Sequence, residues 1–331
     1  MPMRDDLDGP SYGVICAYRF LDGAPQPLEP ALAPIGEPDV GWTWTHLRLG
    51  DVRARARLAQ TASLPTDARE LFDAADGRVQ ISQADGWVFG VLPDLERDLA
   101  GGAQGEGRLV FAMDATRLVT GRAHALRAID DLRRAVQGGA GFPSPAAALI
   151  ELMELYVQLI EDLLDGLGDE LGRIEDYVLT APQQPHETKL NAVRRAVSRH
   201  RRELQALRSV LARAQAGRQG RRIDFLAEAG GDLLAWIEDV DREAAGLQER
   251  GRLLHEEMDT LITGATNRAM GALTIISTLL IPPTLITGAF GMNLPGIPFA
   301  HSSAGFLWAA GICVAVVSGA LWLLKRRGLL G

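Results

Sequence analysis

Two uncharged apolar spans near the C-terminal end constrain this chain more than any other feature. The first is Met270–Phe290 (MGALTIISTLLIPPTLITGAF) and the second Ala304–Leu324 (AGFLWAAGICVAVVSGALWLL). Each has about 20 residues, enough to cross a hydrocarbon core of about 30 Å. Soluble core helices seldom stay free of charge that long, and two in tandem predict an integral membrane protein. The flanking charges predict the orientation. Arg268 precedes the first span and Lys325, Arg326 and Arg327 follow the second, while the connecting loop 291–303 carries no charged residue. Basic residues stay on the cytoplasmic side, so both termini are expected inside and the short loop outside. The N-terminal MPMRDDLDGP lacks an apolar core, so no cleavable signal is expected. Cys16 and Cys313 lie too far apart in kind, one in the soluble part and one in a span, to make a disulfide framework.

The remaining length suggests two structural units in front of the hairpin, and the formal charge of −8 argues against a nucleic-acid partner. Residues 1–140 read as an α/β domain. Period-2 or apolar runs occur at 12–20, 42–49, 78–82, 86–92 and 108–113, with Gly and Pro clusters such as Gly23-Ala24-Pro25 between them. Helical patterns fall at 51–61, 67–75 and 123–137, which predicts a sheet with helices on its faces. No phosphate loop, catalytic triad, HExxH or CxxC is present, so no enzyme and no tightly bound cofactor is expected.

After the linker Gly138–Pro145, long helices take over. Residues 144–230 read as a helical hairpin, with Ser144 as N-cap and Pro145 at the first helical position. Its first helix is acidic (Glu151, Glu154, Glu161, Asp162, Asp165, Asp169 and others) and its second basic (Arg194, Arg195, Arg199, Arg201, Arg202, Arg208 and others). The two are expected to attract across their seam, each exposed pair contributing under about 1 kcal/mol; an acidic surface that binds divalent cations is the alternative. A third helix begins near Asp232 and meets no breaker before Pro282. At 1.5 Å per residue it would run about 75 Å, a stalk over 231–269 that continues into the first span.

The end of that span carries a resemblance. Pro282-x-Thr284-x-x-Thr287-Gly288-x-Phe290-Gly291-Met292-Asn293 is similar to the close of the pore helix in the CorA family of divalent-cation transporters. The order of parts over essentially the whole chain also resembles that family: an α/β domain, a stalk, GMN after the first of two spans, and a basic tail. The loop Asn293-Leu294-Pro295-Gly296-Ile297-Pro298 resembles the ZntB branch, associated with zinc, although Pro295 stands where such loops often have Gly. Phe290 replaces the Tyr usual in the magnesium branch. The resemblance implies a fold of class α+β/α membrane protein: a cytoplasmic α/β funnel, a long stalk helix and two C-terminal transmembrane helices. It further implies a homopentamer in the inner membrane that takes up Zn2+, assisted by a proton gradient. Mg2+, Co2+, Ni2+ and Cd2+ are alternative ions, and a magnesium/cobalt channel the alternative function. A membrane-anchored sensor or scaffold is the alternative of another class, but a plain anchor has no use for GMN or a polar stripe.

The residues bear on transport independently. Two spans cannot enclose a lumen, so a pore needs several copies around an axis. Stepping back from Asn293 by three or four residues gives Gly288, Thr284, Ile281, Ser277, Leu273 or Thr274, Met270 and Asn267. Hydroxyls and amides can hold a hydration shell, and apolar rings can gate by dewetting; the alternative is that the hydroxyls bond to their own helix. Neither span holds Asp, Glu or His, so the expected cargo is a hydrated or partly hydrated ion meeting neutral oxygens. Gly291, Met292 and Asn293 form the expected outer mouth, with Gly291 letting the backbone turn sharply and Asn293 presenting an amide. On the inner side Glu256, Thr260 and Thr263 extend the stripe as a cation ring. His255 and Asp259 at i, i+4, and His301 in the outer loop, are candidate metal ligands.

Overall fold

The computed structural model describes residues 13–29, 38–75, 77–97, 105–180, 187–217, 223–292 and 305–326. Their described parts fall into two compact units. One holds the residues before Glu175 together with Glu187–Arg252; the other holds Glu175–Thr180 and the residues from Leu253 onward.

The first unit is built on a seven-stranded sheet, in the order β2-β1-β3-β7-β6-β5-β4. The strands are β1 (Val14–Leu21), β2 (Ala24–Pro27), β3 (Trp42–Arg48), β4 (Gln80–Ala84), β5 (Trp87–Leu95), β6 (Glu106–Met113) and β7 (Arg117–Arg122). All neighbours are antiparallel except β3 and β7, which pair in parallel from Thr43–Arg117 to Arg48–Arg122. Every residue of β5 is buried, which requires cover on both faces because side chains alternate. Helices α1 (Val52–Gln60) and α2 (Thr66–Ala74) cover one face. There Ala54, Leu58, Leu64, Ala68 and Phe72 pack with Ala17, Leu47, Trp87, Phe89, Val91 and Val110.

Helix α3 (Arg127–Gln137) lies on the other face, where Asp130 accepts from Arg122 of β7 at 3.0 Å. Phe20 and Trp42 stack at 4.0 Å on this side. The Trp42 indole donates to the Phe142 carbonyl at 3.0 Å, pinning the chain that leaves α3. The buried carboxylate of Asp94 accepts from the backbone N–H groups of Leu95, Ala128 and Ile129 at 2.6, 2.9 and 3.1 Å. It thereby satisfies donors that the first turn of α3 would otherwise leave orphaned.

Helix α4 (Pro145–Thr180) and helix α5 (Glu187–Ala216) follow, then α6 (Asp224–Phe290) and α7 (Gly305–Arg326). Leu149, Leu152, Ile160 and Leu164 of α4 are buried, as are Leu190, Val197, Leu204 and Leu211 of α5 and Leu233, Ile237, Val240 and Ala244 of α6. These spacings of three, four, seven and eight are those of packed helices. Arg108 of β6 reaches Glu203 of α5 at 2.9 Å and ties the helices to the sheet.

Five features differ from the sequence reading. Strand β7 occupies the centre of the sheet, at residues assigned no element, and α3 starts at Arg127 rather than 123. Strand β2 occupies the Gly-Pro cluster read as punctuation. Helix α6 starts at Asp224, passing through Gly230 and Gly231, which were read as lying before its start near Asp232. The charges of α5 do not reach across to α4 among the described residues. Arg201 pairs with Asp241 of α6 at 3.0 Å and Arg208 with Glu238 of α6 at 2.7 Å. The acidic α4 instead meets α6 through Trp236, whose indole donates to Glu161 at 3.2 Å.

Candidate functional site

The uncharged part of α6 is long and apolar enough to cross a membrane, as is α7, and almost none of either is buried by the rest of the chain. Leu273, Ile276, Leu280, Ile281 and Leu285 are all more than half exposed, as are Phe306, Leu307 and Trp308 of α7. Bare apolar surface on this scale needs lipid or protein cover. Apart from Ser277 and Pro283, the less exposed positions on the apolar part of α6 are Gly271, Ile275, Thr278, Leu279, Pro282, Ile286 and Phe290. Those on α7 are Gly305, Ala309, Cys313, Val317, Ala320 and Leu324. Each set forms one stripe at spacings of three and four, so each helix has a single covered side.

The stripe Asn267, Met270, Leu273, Thr274, Ser277, Ile281, Thr284 and Gly288 lies elsewhere. All of its members are exposed except the half-buried Ser277. At about 100° per residue its centre falls about 140° around the helix from the covered side. Ile281, Thr284, Gly288 and Met292 line an open concavity of ≈ 580 Å³ together with Leu280, Leu285 and Ala289. The sequence stripe omitted these last three because stepping by three or four selects a line, whereas a concave surface also takes the positions beside it.

The threonine hydroxyls of the span bond back to the helix, as one of the two sequence alternatives held for them. Thr274, Thr278 and Thr284 donate to the carbonyls of Met270, Thr274 and Leu280 at 2.8, 2.7 and 2.7 Å, and Thr287 donates to Thr284 at 3.1 Å. This does not remove them from ion chemistry. A hydroxyl has one proton and two lone pairs; with the proton committed to the helix, the lone pairs remain for a cation or its water. Pro282 and Pro283 lie inside α6, which continues as helix through both. Neither can donate to the carbonyl four residues back, those of Thr278 and Leu279.

At the outer end, Gly291 donates to Thr287 at 2.9 Å and Met292 to Ala289 at 3.3 Å, so the last turn winds past Phe290. Gly291 does not adopt a left-handed conformation. A β-carbon at this position would lie 3.3 Å from the Thr287 carbonyl oxygen. Asn293 and His301 lie outside the described residues.

At the inner end, Glu256, Thr260 and Thr263 are exposed on one side of α6, and Leu254 and Met258 are buried on another. The Thr260 hydroxyl donates to the Glu256 carbonyl at 2.9 Å. His255 Nε2 lies 3.8 Å from Asp259 Oδ2, so the i, i+4 spacing does bring this pair together. The buried Nδ1 of His255 has no hydrogen-bond partner. No third ligand joins them: among the described residues no group of three or more His, Cys, Asp or Glu could hold a metal ion. The same holds for the acidic face of α4. Burial raises the Glu243 carboxyl of α6, and Asp165 and Glu161 of α4 raise it further. Burial likewise raises Glu154, with Glu151 and Asp232 adding to it. Cys16 is buried and its thiol pushed up to about 12, chiefly by burial; both cysteines are free.

Comparison with known proteins agrees with this arrangement. The family described as CorA-like Mg2+ transporter protein matches residues 39–326, from ahead of β3 to the end of α7. The zinc transport protein ZntB of Pectobacterium carotovorum is 27% identical over 337 aligned positions, covering 95% of each chain. The divalent cation transporter CmaX of Pseudomonas aeruginosa is 28% identical over 295 positions, covering 86% of each. The solved structure of full-length CmaX superposes with a TM-score of 0.80 at 24% identity, covering 96% of this chain and 99% of that one. With sheet, long helix and both apolar helices inside the match, this chain belongs to the CorA family of divalent cation transporters, a family of transporters and not of enzymes.

Proposed function

We propose that the chain assembles as a homopentamer in the inner membrane and takes zinc into the cytoplasm, assisted by an inward proton gradient. Its termini are cytoplasmic and the loop 291–303 faces outward. The exposed stripe of α6 carries this reading. It is neutral, it alternates hydroxyl and amide groups with Leu, Ile and Met, and it lies about 140° from the covered side of its helix. Five such stripes around an axis make a lumen that one chain cannot. Thr274 and Thr284 meet the ion's water with lone pairs, while Met270, Leu273 and Ile281 narrow and dry the path. Stripping a divalent ion without a carboxylate is costly, so the ion keeps most of its water through the spans. Gly291, Met292 and Asn293 admit it, and Glu256, Thr260 and Thr263 draw it out at the inner mouth, with His255, Asp259 and His301 as transient ligands.

Zinc is favoured by the acid-free loop Asn293–Pro298 and by curated relatives named as zinc transport proteins. The spans hold no Asp, Glu, His, Lys or Arg, so proton coupling works through water or through His255, Glu256 or His301. Magnesium is the second reading, because the matching family is described by that ion. Reconstitution into proteoliposomes tests both. Zinc should enter faster with an acidic exterior and slow when an uncoupler is added. Magnesium flux without zinc flux overturns the zinc assignment, and zinc flux indifferent to the gradient makes the protein a passive channel. Native mass spectrometry should give five copies; a monomer or dimer alone refutes the pore.

A further inference from the structure

On α5, Arg194, Arg195, Arg199 and Arg202, with Asn191 and Ser198, line an open groove of ≈ 640 Å³. Among the described residues none of these arginines forms a salt bridge, although their neighbours Arg201 and Arg208 do. On α4, Asp162, Asp165 and Asp169 form an exposed stripe at i, i+3 and i+7. The two surfaces lie at the same height, because α6 gauges both helices. Leu247 lies against Gly168 of α4, while the adjoining Gln248 donates to Ser198 of α5 at 2.9 Å. Nearer the start of α6, Trp236 bonds Glu161 and Glu238 bonds Arg208. So α4 residues 161–168 run level with α5 residues 208–198 in the opposite direction.

We propose that the basic groove of α5 receives the acidic stripe of α4 from a second copy of this chain. The inference rests on the multi-copy pore above and names the surface that closes it. Rotation about an axis along the helices keeps every residue at its own height. Each copy therefore presents the Asp165–Asp169 end of its stripe level with the Arg199–Arg202 part of the neighbour's groove. The contact joins two different surfaces, and a head-to-tail contact of that kind closes into a ring when the rotation permits. Opposite charge at matched height fixes both the partner and its register. The groove's unpaired cations and the Asp165 carboxylate, which together with burial raises Glu243 of its own chain, are then two halves of one interface.

Charge reversal on the full-length protein in detergent tests this. Arg199→Glu with Arg202→Glu should lower the ratio of ring to monomer by about tenfold at low salt, because a small loss per pair repeats at every seam. Asp165→Arg with Asp169→Arg should do the same. All four together should restore the wild-type ratio, which separates a contact between the two faces from damage to the fold. Asp169→Cys with Arg199→Cys, in a Cys313→Ala background, should give a ladder of disulfide-linked oligomers; a cross-link confined to monomers overturns the contact. A wild-type ring indifferent to every reversal overturns this interface and leaves the pore standing. A wild-type monomer overturns both.

Discussion

Replacing Asp94 by Asn should make the stability of the sheet unit lose a pH dependence of known sign. Asp94 is 2% exposed, and its carboxylate accepts three backbone N–H groups, two of them from the first turn of α3. Burial pushes its pKa from 3.8 up to about 6, against the pull of those three donors. A carboxyl raised on folding contributes stability that is complete below its unfolded value and lost as the pH rises through about 6. The full difference is about 3 kcal/mol, of which about 2 kcal/mol falls between pH 8 and pH 4.5. Asn cannot titrate, and it turns an N–H₂ toward a donor that had an oxygen, which costs about 1–3 kcal/mol. The variant should therefore lie closer to wild type at pH 8 and fall behind by about 2 kcal/mol more at pH 4.5. For a unit of this size that is a relative Tm change of about 4–8 °C. Thermal unfolding of the full chain in detergent, followed by the fluorescence of Trp42, Trp44 and Trp87, reads it. Every other carboxyl is common to both proteins and cancels in the comparison. Parallel pH profiles, or a gap that widens toward pH 8, would refute the reasoning.

Asn293→Ala should cut zinc uptake at least about tenfold while native mass spectrometry still shows the wild-type oligomer, since it removes an amide meant for the ion's water. Uptake near the wild-type rate would remove Asn293 from the path. Glu256→Gln should slow uptake several-fold at low ionic strength and less at high, because a charge ring concentrates cations through a screened field. A salt-independent loss would make Glu256 structural.

Much of the fold is legible in the sequence, for reasons specific to each element. The apolar spans announce themselves by length, and β1, β3, β5 and β6 by runs of Val, Leu, Phe and Trp. β7 (RLVTGR) is short, flanked by Arg and contains a Gly, and what makes it central is pairing with strands on both sides, which no local pattern encodes. β2 (APQP) contains two prolines, tolerated because it lies at the sheet edge. The start of α6 was misplaced because Gly230 and Gly231 look like breakers, yet each costs a helix only about 1 kcal/mol. The charges of α4 and α5 gave the sign of each surface but not its partner, since three helices pack where sequence suggested a pair. At the candidate site, counting by turns found the stripe, while Leu280, Leu285 and Ala289 needed the curvature of the surface.

The single parallel pairing, β3 with β7, sets an order of events for the growing chain. On one side of it β1, β2 and β3 form a ribbon from near neighbours in sequence, and on the other β4 to β7 form a second in the same way. Each half can pair locally, but joining them must close a loop from Thr43 to Arg117, and closing a long loop loses chain entropy before any contact offsets it. That step should limit the folding rate. At the join stands one hydroxyl, Thr120, which accepts from the Trp44 indole and bonds the His46 imidazole, both at 2.9 Å. Thr120→Val keeps the shape and deletes both bonds, so a kinetic experiment would see the zipper between two preformed ribbons hesitate at this one tooth.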